Sequence, residues 1–220
     1  MSFPINIVYE KLGRAKYISH LDMDRCLQRA FKRCRLPIWY TEGFNKRMYV
    51  SLTVPLSLGF ESKFEVMEIK LEETVAFDAL KDRINAVMPE GIKILRISMP
   101  KHKPGAITSV SYDVTLHTDA PEELADKLTA FLNKDAILVE KKNKKGVVSE
   151  VDLKPLMEIG DVVCKEGKVT YSGKYAFGQA GTVNPTQLVN AFAAEIGIDS
   201  MDLAPAVMRT GIYAGEELFV

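Results

Sequence analysis

The chain is poor in the residues and motifs on which metal, redox and nucleotide chemistry depend. Its three cysteines, Cys26, Cys34 and Cys164, offer neither a C-x-x-C zinc pair nor the C-x-x-x-C-x-x-C run of an iron–sulfur cluster. An odd number at wide spacing also argues against a disulfide framework; the reading is free thiols, with Cys26 and Cys34 as small core residues of one helix. There is no G-x-x-x-x-G-K-[ST] loop, no G-x-G-x-x-G after a strand and no G-x-S-x-G elbow. The expectation is therefore no cofactor and no metal. No apolar run approaches the roughly 20 residues that cross a bilayer. Met1-Ser2-Phe3-Pro4 lacks the basic and long apolar regions of a signal peptide. A cytoplasmic protein without a membrane segment is expected.

What is present describes a globular chain. Of 220 residues, 47% are hydrophobic and 26% charged, enough apolar surface for one large core or two small ones. The net charge of zero conceals a segregation. Lys11 to Arg47 holds ten Lys or Arg against three acids, a net of +7, whereas Gly105 to the end holds eleven against seventeen, a net of −6. A cationic surface in the first part, facing something anionic, is the physical implication.

Hydrophobic periodicity predicts strands over Ile5–Glu10, Tyr49–Val54, Lys63–Leu71 and Ile92–Ile97. Helices are predicted from Ser19 to about Arg35 and over Ala76–Val87. Ser19 and Asp22 form an S-x-x-D cap, and Leu36-Pro37 stops the first helix. Lys101-His102-Lys103-Pro104-Gly105 reads as a hinge. Beyond it a strand (Ser111–His117), a helix (Pro121–Asn133) and a strand pair around a lysine-rich turn (Lys141–Gly146) are expected. A second hairpin turns at Glu166-Gly167. A helix capped by Asn184, with Pro185 and Gln187 after it, ends at Gly197, and Arg209–Tyr213 closes the chain. The order suggests an α+β fold of two ferredoxin-like (βαββαβ) units with mainly antiparallel sheets. A basic unit would span 1–104, and an acidic one with an added hairpin 105–220.

The first helix is the most informative segment. At about 100° per residue, Met23, Leu27, Ala30, Phe31 and Cys34 share one face. Arg25, Gln28, Arg29 and Lys32 lie opposite, flanked by Arg33 and Arg35. Arginine forks suit phosphate, though a solvated cationic face is the plainer reading. In the next loop Trp39, Tyr40 and Phe44 interleave with Lys46 and Arg47; aromatics that stack bases beside cations that hold phosphates grip single-stranded RNA. Alternatively Trp39 and Phe44 are core residues. His20, beside Tyr17 and Lys16, is the candidate general acid or base, since histidine titrates near neutrality. A polar packing histidine is the competing reading.

Tyr17-Ile18-Ser19-His20-Leu21-Asp22, Arg25, Arg29-Ala30, Leu36-Pro37, Tyr40 and Gly43-Phe44-Asn45 together form a pattern, as do Pro55 to Ser62 with Glu65. It resembles the uncharacterised radical SAM-linked protein family, specifically over about the first 70 residues. Looser echoes follow at Gly181-Thr182, Pro185, Arg209 and Tyr213. The chain departs from that pattern at Lys46 and Met48, where prolines are usual, and at Asn184, where arginine is common. The resemblance implies a bacterial accessory protein whose partner is a separately encoded radical SAM enzyme; it implies no particular reaction.

Three functions stand open. The first is an accessory module that recognises RNA through Arg25, Arg29, Lys32, Arg33, Arg47 and Tyr40. The second is a metal-independent endoribonuclease with His20 as general acid or base, by fold-level analogy with CRISPR repeat-processing ribonucleases. The third is a protein–protein adaptor for the radical SAM enzyme.

Overall fold

The computed structural model describes residues 2–142, 146 and 148–220. The fold is mixed α and β, with four α-helices among the described residues and mainly antiparallel strands. The chain forms two compact units: Met1–Ile107 with Gly211–Val220, and Thr108–Thr210. The lysine-rich turn expected at Lys141–Gly146 falls on 143–145, outside the described residues.

In the first unit the order is β1 (Phe3–Lys11), α1 (His20–Arg33), β2 (Val50–Leu52), β3 (Glu61–Leu71), α2 (Phe77–Asn85) and β4 (Ile92–Ser98). β1 lies between β3 and β4 and is antiparallel to both; Ile7 faces Met67 on one side and Ile97 on the other. β2 joins the far edge of β3, also antiparallel. Period-two alternation sends Ile5, Ile7 and Tyr9 of β1 and Met67, Ile69 and Leu71 of β3 to the face that meets the helices. Met23, Leu27 and Phe31 of α1, and Leu80 and Ile84 of α2, complete this core. Each such side chain contributes about 1.5–3 kcal/mol by leaving water.

α1 begins as its sequence dictates. Ser19 Oγ accepts from the Asp22 amide at 3.2 Å. It ends two residues earlier than expected, because the Leu36 amide closes back on the Phe31 carbonyl and the Arg35 amide on Lys32. Arg35 takes the left-handed conformation (φ 50°) that this closure requires. The Arg83 guanidinium donates to the freed Cys34 carbonyl and so ties the helix end to α2.

The second unit runs β5 (Ser109–His117), α3 (Pro121–Leu132), β6 (Leu138–Lys142), β7 (Val148–Asp152), β8 (Met157–Ile159), β9 (Val163–Lys165), β10 (Lys168–Ala176), α4 (Pro185–Glu195) and the start of β11 (Ala206–Ala214). β10 pairs antiparallel with β5 along its whole length, and β8 and β9 share its other edge. β6 and β7 form a separate hairpin. Asn184 caps α4 with the full reciprocal box: its side chain accepts from Thr186, and Gln187 Oε1 accepts from the Asn184 amide. β11 ends in the first unit, where β12 (Glu217–Leu218) folds back on it.

Candidate nucleic-acid interface

α1 carries its cations outward because its apolar stripe is spent on the sheet. Met23, Leu27, Ala30, Phe31 and Cys34 are buried; Arg25, Arg29, Lys32 and Arg33 are exposed. Their situations differ. Arg25 Nη1 bonds Asp22 Oδ1 at 3.1 Å, between two well-exposed side chains. The Ser19 hydroxyl holds the Asp22 carboxyl below its usual range, with Arg25 adding to the effect. Asp22 thus stays ionised, but an exposed pair of this kind is worth little and exchanges readily. Arg33 Nη2 donates to the Val87 carbonyl at 2.7 Å. Arg29 and Lys32 make no salt bridge among the described residues.

Arg25, Arg29 and Arg33 form one wall of a shallow groove of about 570 Å³; Val87 and Pro89 form the other, and Cys26 lies between. Burial pushes the Cys26 thiol up, against the opposing pull of Arg33 and Arg29. The groove thus presents guanidinium forks and an apolar lip, and its thiol is in the protonated form.

The loop after α1 turns two of its aromatics to different tasks. Backbone bridges at Ile38–Leu71 and Tyr40–Met48 hold its base. The Thr41 and Arg47 amides close the tip, on the Arg47 carbonyl at 2.8 Å and Thr41 Oγ1 at 3.0 Å. Gly43 supplies a φ of 115°, and Phe44 at the apex is completely exposed, at 109% of its reference area. Lys46 and Arg47 beside it are exposed, and Tyr40 is 40% exposed. Trp39 instead turns to β3. The Lys70 ammonium sits 5.1 Å from the Trp39 ring and 4.6 Å from the Tyr49 ring. Tyr49 donates to Glu68 Oε1 at 2.8 Å, and burial, followed by Glu68, pushes its phenol up to about 12. Trp39 is a support of the loop and Phe44 its presented face.

Tyr17, Lys16 and His20 gather at the amino end of α1. The Lys16 ammonium lies 5.4 Å from the Tyr17 ring. His20 is exposed, yet it also lines a water-sized cavity of about 20 Å³ with Tyr9, Lys11, Met23, Leu52 and Glu65. Lys11 and Glu65 are buried, at 4% and 3% exposure, and Lys11 Nζ donates to the Ile18 carbonyl at 2.8 Å. Neither residue was placed at this site by local sequence alone. The available signal was phase: Lys11 continues the inward series Ile5, Ile7, Tyr9, and Glu65 continues Leu71, Ile69, Met67. Among the described residues no three His, Cys, Asp or Glu side chains gather as a metal site, and no helix is long and apolar enough to cross a membrane. In the second unit Arg209 is buried: Nη2 donates to the Tyr112 hydroxyl at 3.0 Å, and the guanidinium lies 5.4 Å from that ring.

Residues 5–185 match the family described as "Uncharacterized protein conserved in bacteria (DUF2344)". Among solved structures, the crystal structure of an unknown protein from Galdieria sulphuraria is similar at 12% identity. The match covers 95% of this chain and 99% of that one, with a TM-score of 0.27. No curated protein matches the chain.

Proposed function

The chain belongs to the bacterial family DUF2344, and from that premise we propose that it is an RNA-recognition module, serving a separately encoded radical SAM enzyme. The reading rests chiefly on Phe44. A phenylalanine with its whole side chain in water, on a loop tip pinned at both sides and flanked by Lys46 and Arg47, is arranged for contact and not for packing. Base stacking on an aromatic beside phosphate-binding cations is the contact those residue types make best. The uncompensated Arg29 and Lys32 on α1 extend the same chemistry. The radical SAM partner is supported by the resemblance of the first 70 or so residues. The strand order β4-β1-β3-β2, antiparallel throughout, with helices α1 and α2 as crossovers, supports a ferredoxin-like reading of the first unit. The order β5-β10-β8, with β11 beside β5, supports it for the second.

Fluorescence anisotropy with labelled single-stranded RNA across a salt series tests the function. Phosphate contacts release counterions, so three neutralised phosphates give a log–log slope of roughly −2. Arg29→Ala with Lys32→Ala should flatten it to about −0.7 without unfolding, because both side chains lie opposite the core. Phe44→Ala should weaken binding about tenfold and leave the slope unchanged, since stacking carries no counterion. A parent that fails to bind at low salt, or a double variant that binds like the parent, refutes the proposal. Metal-independent cleavage abolished by His20→Ala would establish the nuclease reading in its place.

A further inference from the structure

Three large apolar side chains stand uncovered around the amino end of α1. Tyr17 and Leu21 are each 68% exposed and Leu58 is 64% exposed. They come from three segments held side by side. The Gly59 amide donates to the Lys16 carbonyl at 3.0 Å, which fixes the Leu58 loop against the Tyr17 turn. Lys11, from inside the unit, bonds the Ile18 carbonyl, and Ser19 caps the helix that follows. The patch is therefore preset, with little ordering left to occur on binding. It also runs into the cationic face. At about 100° per residue Leu21, Arg25 and Lys32 occupy one exposed stripe of α1.

We propose that this patch is a second base-stacking platform, so that one single strand of RNA lies along α1, its backbone on Arg25, Arg29 and Lys32, with bases stacked at both ends of the helix. The inference rests on the RNA-recognition reading and deepens it to a substrate class. The two platforms are Tyr17 with Leu21 and Leu58 around the amino end of the helix, and Phe44 with Tyr40 in the loop that follows it. Between them run cations about one helical turn apart. Anionic groups at intervals, with planar apolar groups beyond them, describe an unpaired nucleic-acid strand. A duplex keeps its base faces stacked internally and cannot offer them to either platform. Lys16 approaches the Tyr17 ring and leaves the ring largely exposed. α1 itself, 14 residues long, spans about 21 Å, the scale of strand that contact with both platforms would require.

The test is anisotropy with labelled uridine oligomers from about 3 to about 12 nucleotides, comparing the parent with Tyr17→Ala. Tyr17 is largely exposed, so this variant should keep the parent's circular dichroism. Parent affinity should climb with length until both platforms are spanned, then level off. Tyr17→Ala should bind the long oligomers about tenfold more weakly, the loss of one stacked base, and the shortest ones as the parent does. Oligomers that bind through Arg29 and Lys32 with no effect of Tyr17→Ala at any length would overturn this inference and leave RNA recognition standing. Absence of binding at low salt overturns both. A blunt duplex binding as tightly as the single strand overturns the two-platform arrangement. So does a parent that self-associates through Tyr17 while its RNA affinity ignores that residue, an outcome that would make the patch a protein surface.

Discussion

Lys11 occupies a position in β1 where the preceding inward residues are Ile5, Ile7 and Tyr9. Its ammonium group holds the Ile18 carbonyl and shares a cavity with the buried Glu65 carboxylate. Lys11→Met should therefore lower unfolding free energy by about 2 kcal/mol in urea titrations, because it leaves the Ile18 carbonyl without its donor. Met retains the aliphatic stem, so the loss reports the charge and its hydrogen bond. Tyr49 makes a second prediction. Burial first, and then Glu68, raise its folded-state pKa to about 12, so the folded state favours the neutral phenol. That contribution is full below the unfolded value of about 10 and is lost as pH rises through about 12. The parent should lose more stability than Tyr49→Phe across that window, measured by denaturation at each pH. Equal losses would show that Tyr49 does not carry the effect.

The helices were legible because their signals are local. The Ser19–Asp22 cap and the Asn184–Gln187 box each involve residues within one turn, and both form as the spacing predicts. Ser19→Ala and Asn184→Ala should each cost about 1 kcal/mol in stability. The short Asn184 side chain closes a cap that a longer arginine could not make. The carboxyl end of α1 was less legible. Leu36-Pro37 forbids continuation, but the helix stops at Arg33 because Arg35 adopts the left-handed turn. An arginine in that conformation is strained, so Arg35→Gly should gain about 1 kcal/mol in thermal or urea unfolding. Short β8 carries no local signal in the sequence. Met157, Glu158 and Ile159 are too few to display a period, and their strand exists only through pairing with β10.

At the scale of the whole molecule, the chain returns at its end to the unit it began in. Phe219 is fully buried; its amide bonds the Ile212 carbonyl, and the next carbonyl, of Val220, accepts from the Lys101 amide. Phe219→Ala should destabilise the first unit by about 4 kcal/mol, the usual cost of emptying an aromatic site. Hydrogen exchange resolved by segment would check it: protection should fall in β1, β3 and β4 and hold in β5 and β10. Loss confined to the second unit would contradict the placement of Gly211–Val220.

The sequence by itself determined where the helices and the longer strands form, which face of α1 is apolar, and that cations crowd the other face. Each of these follows from interactions between residues a turn or two apart, or from period alone. Tertiary structure decided the rest. It divided the cations into paired Arg25, anchored Arg33 and uncompensated Arg29 and Lys32, because their partners Val87 and Asp22 are set by packing or by rotamer. It turned Trp39 onto Lys70 and left Phe44 in water, although both lie in one loop of similar composition. It brought Lys11, His20 and Glu65 around one cavity from positions up to 54 residues apart. Strand pairing and side-chain packing join residues distant in the chain, and no local pattern records which distant residue will arrive.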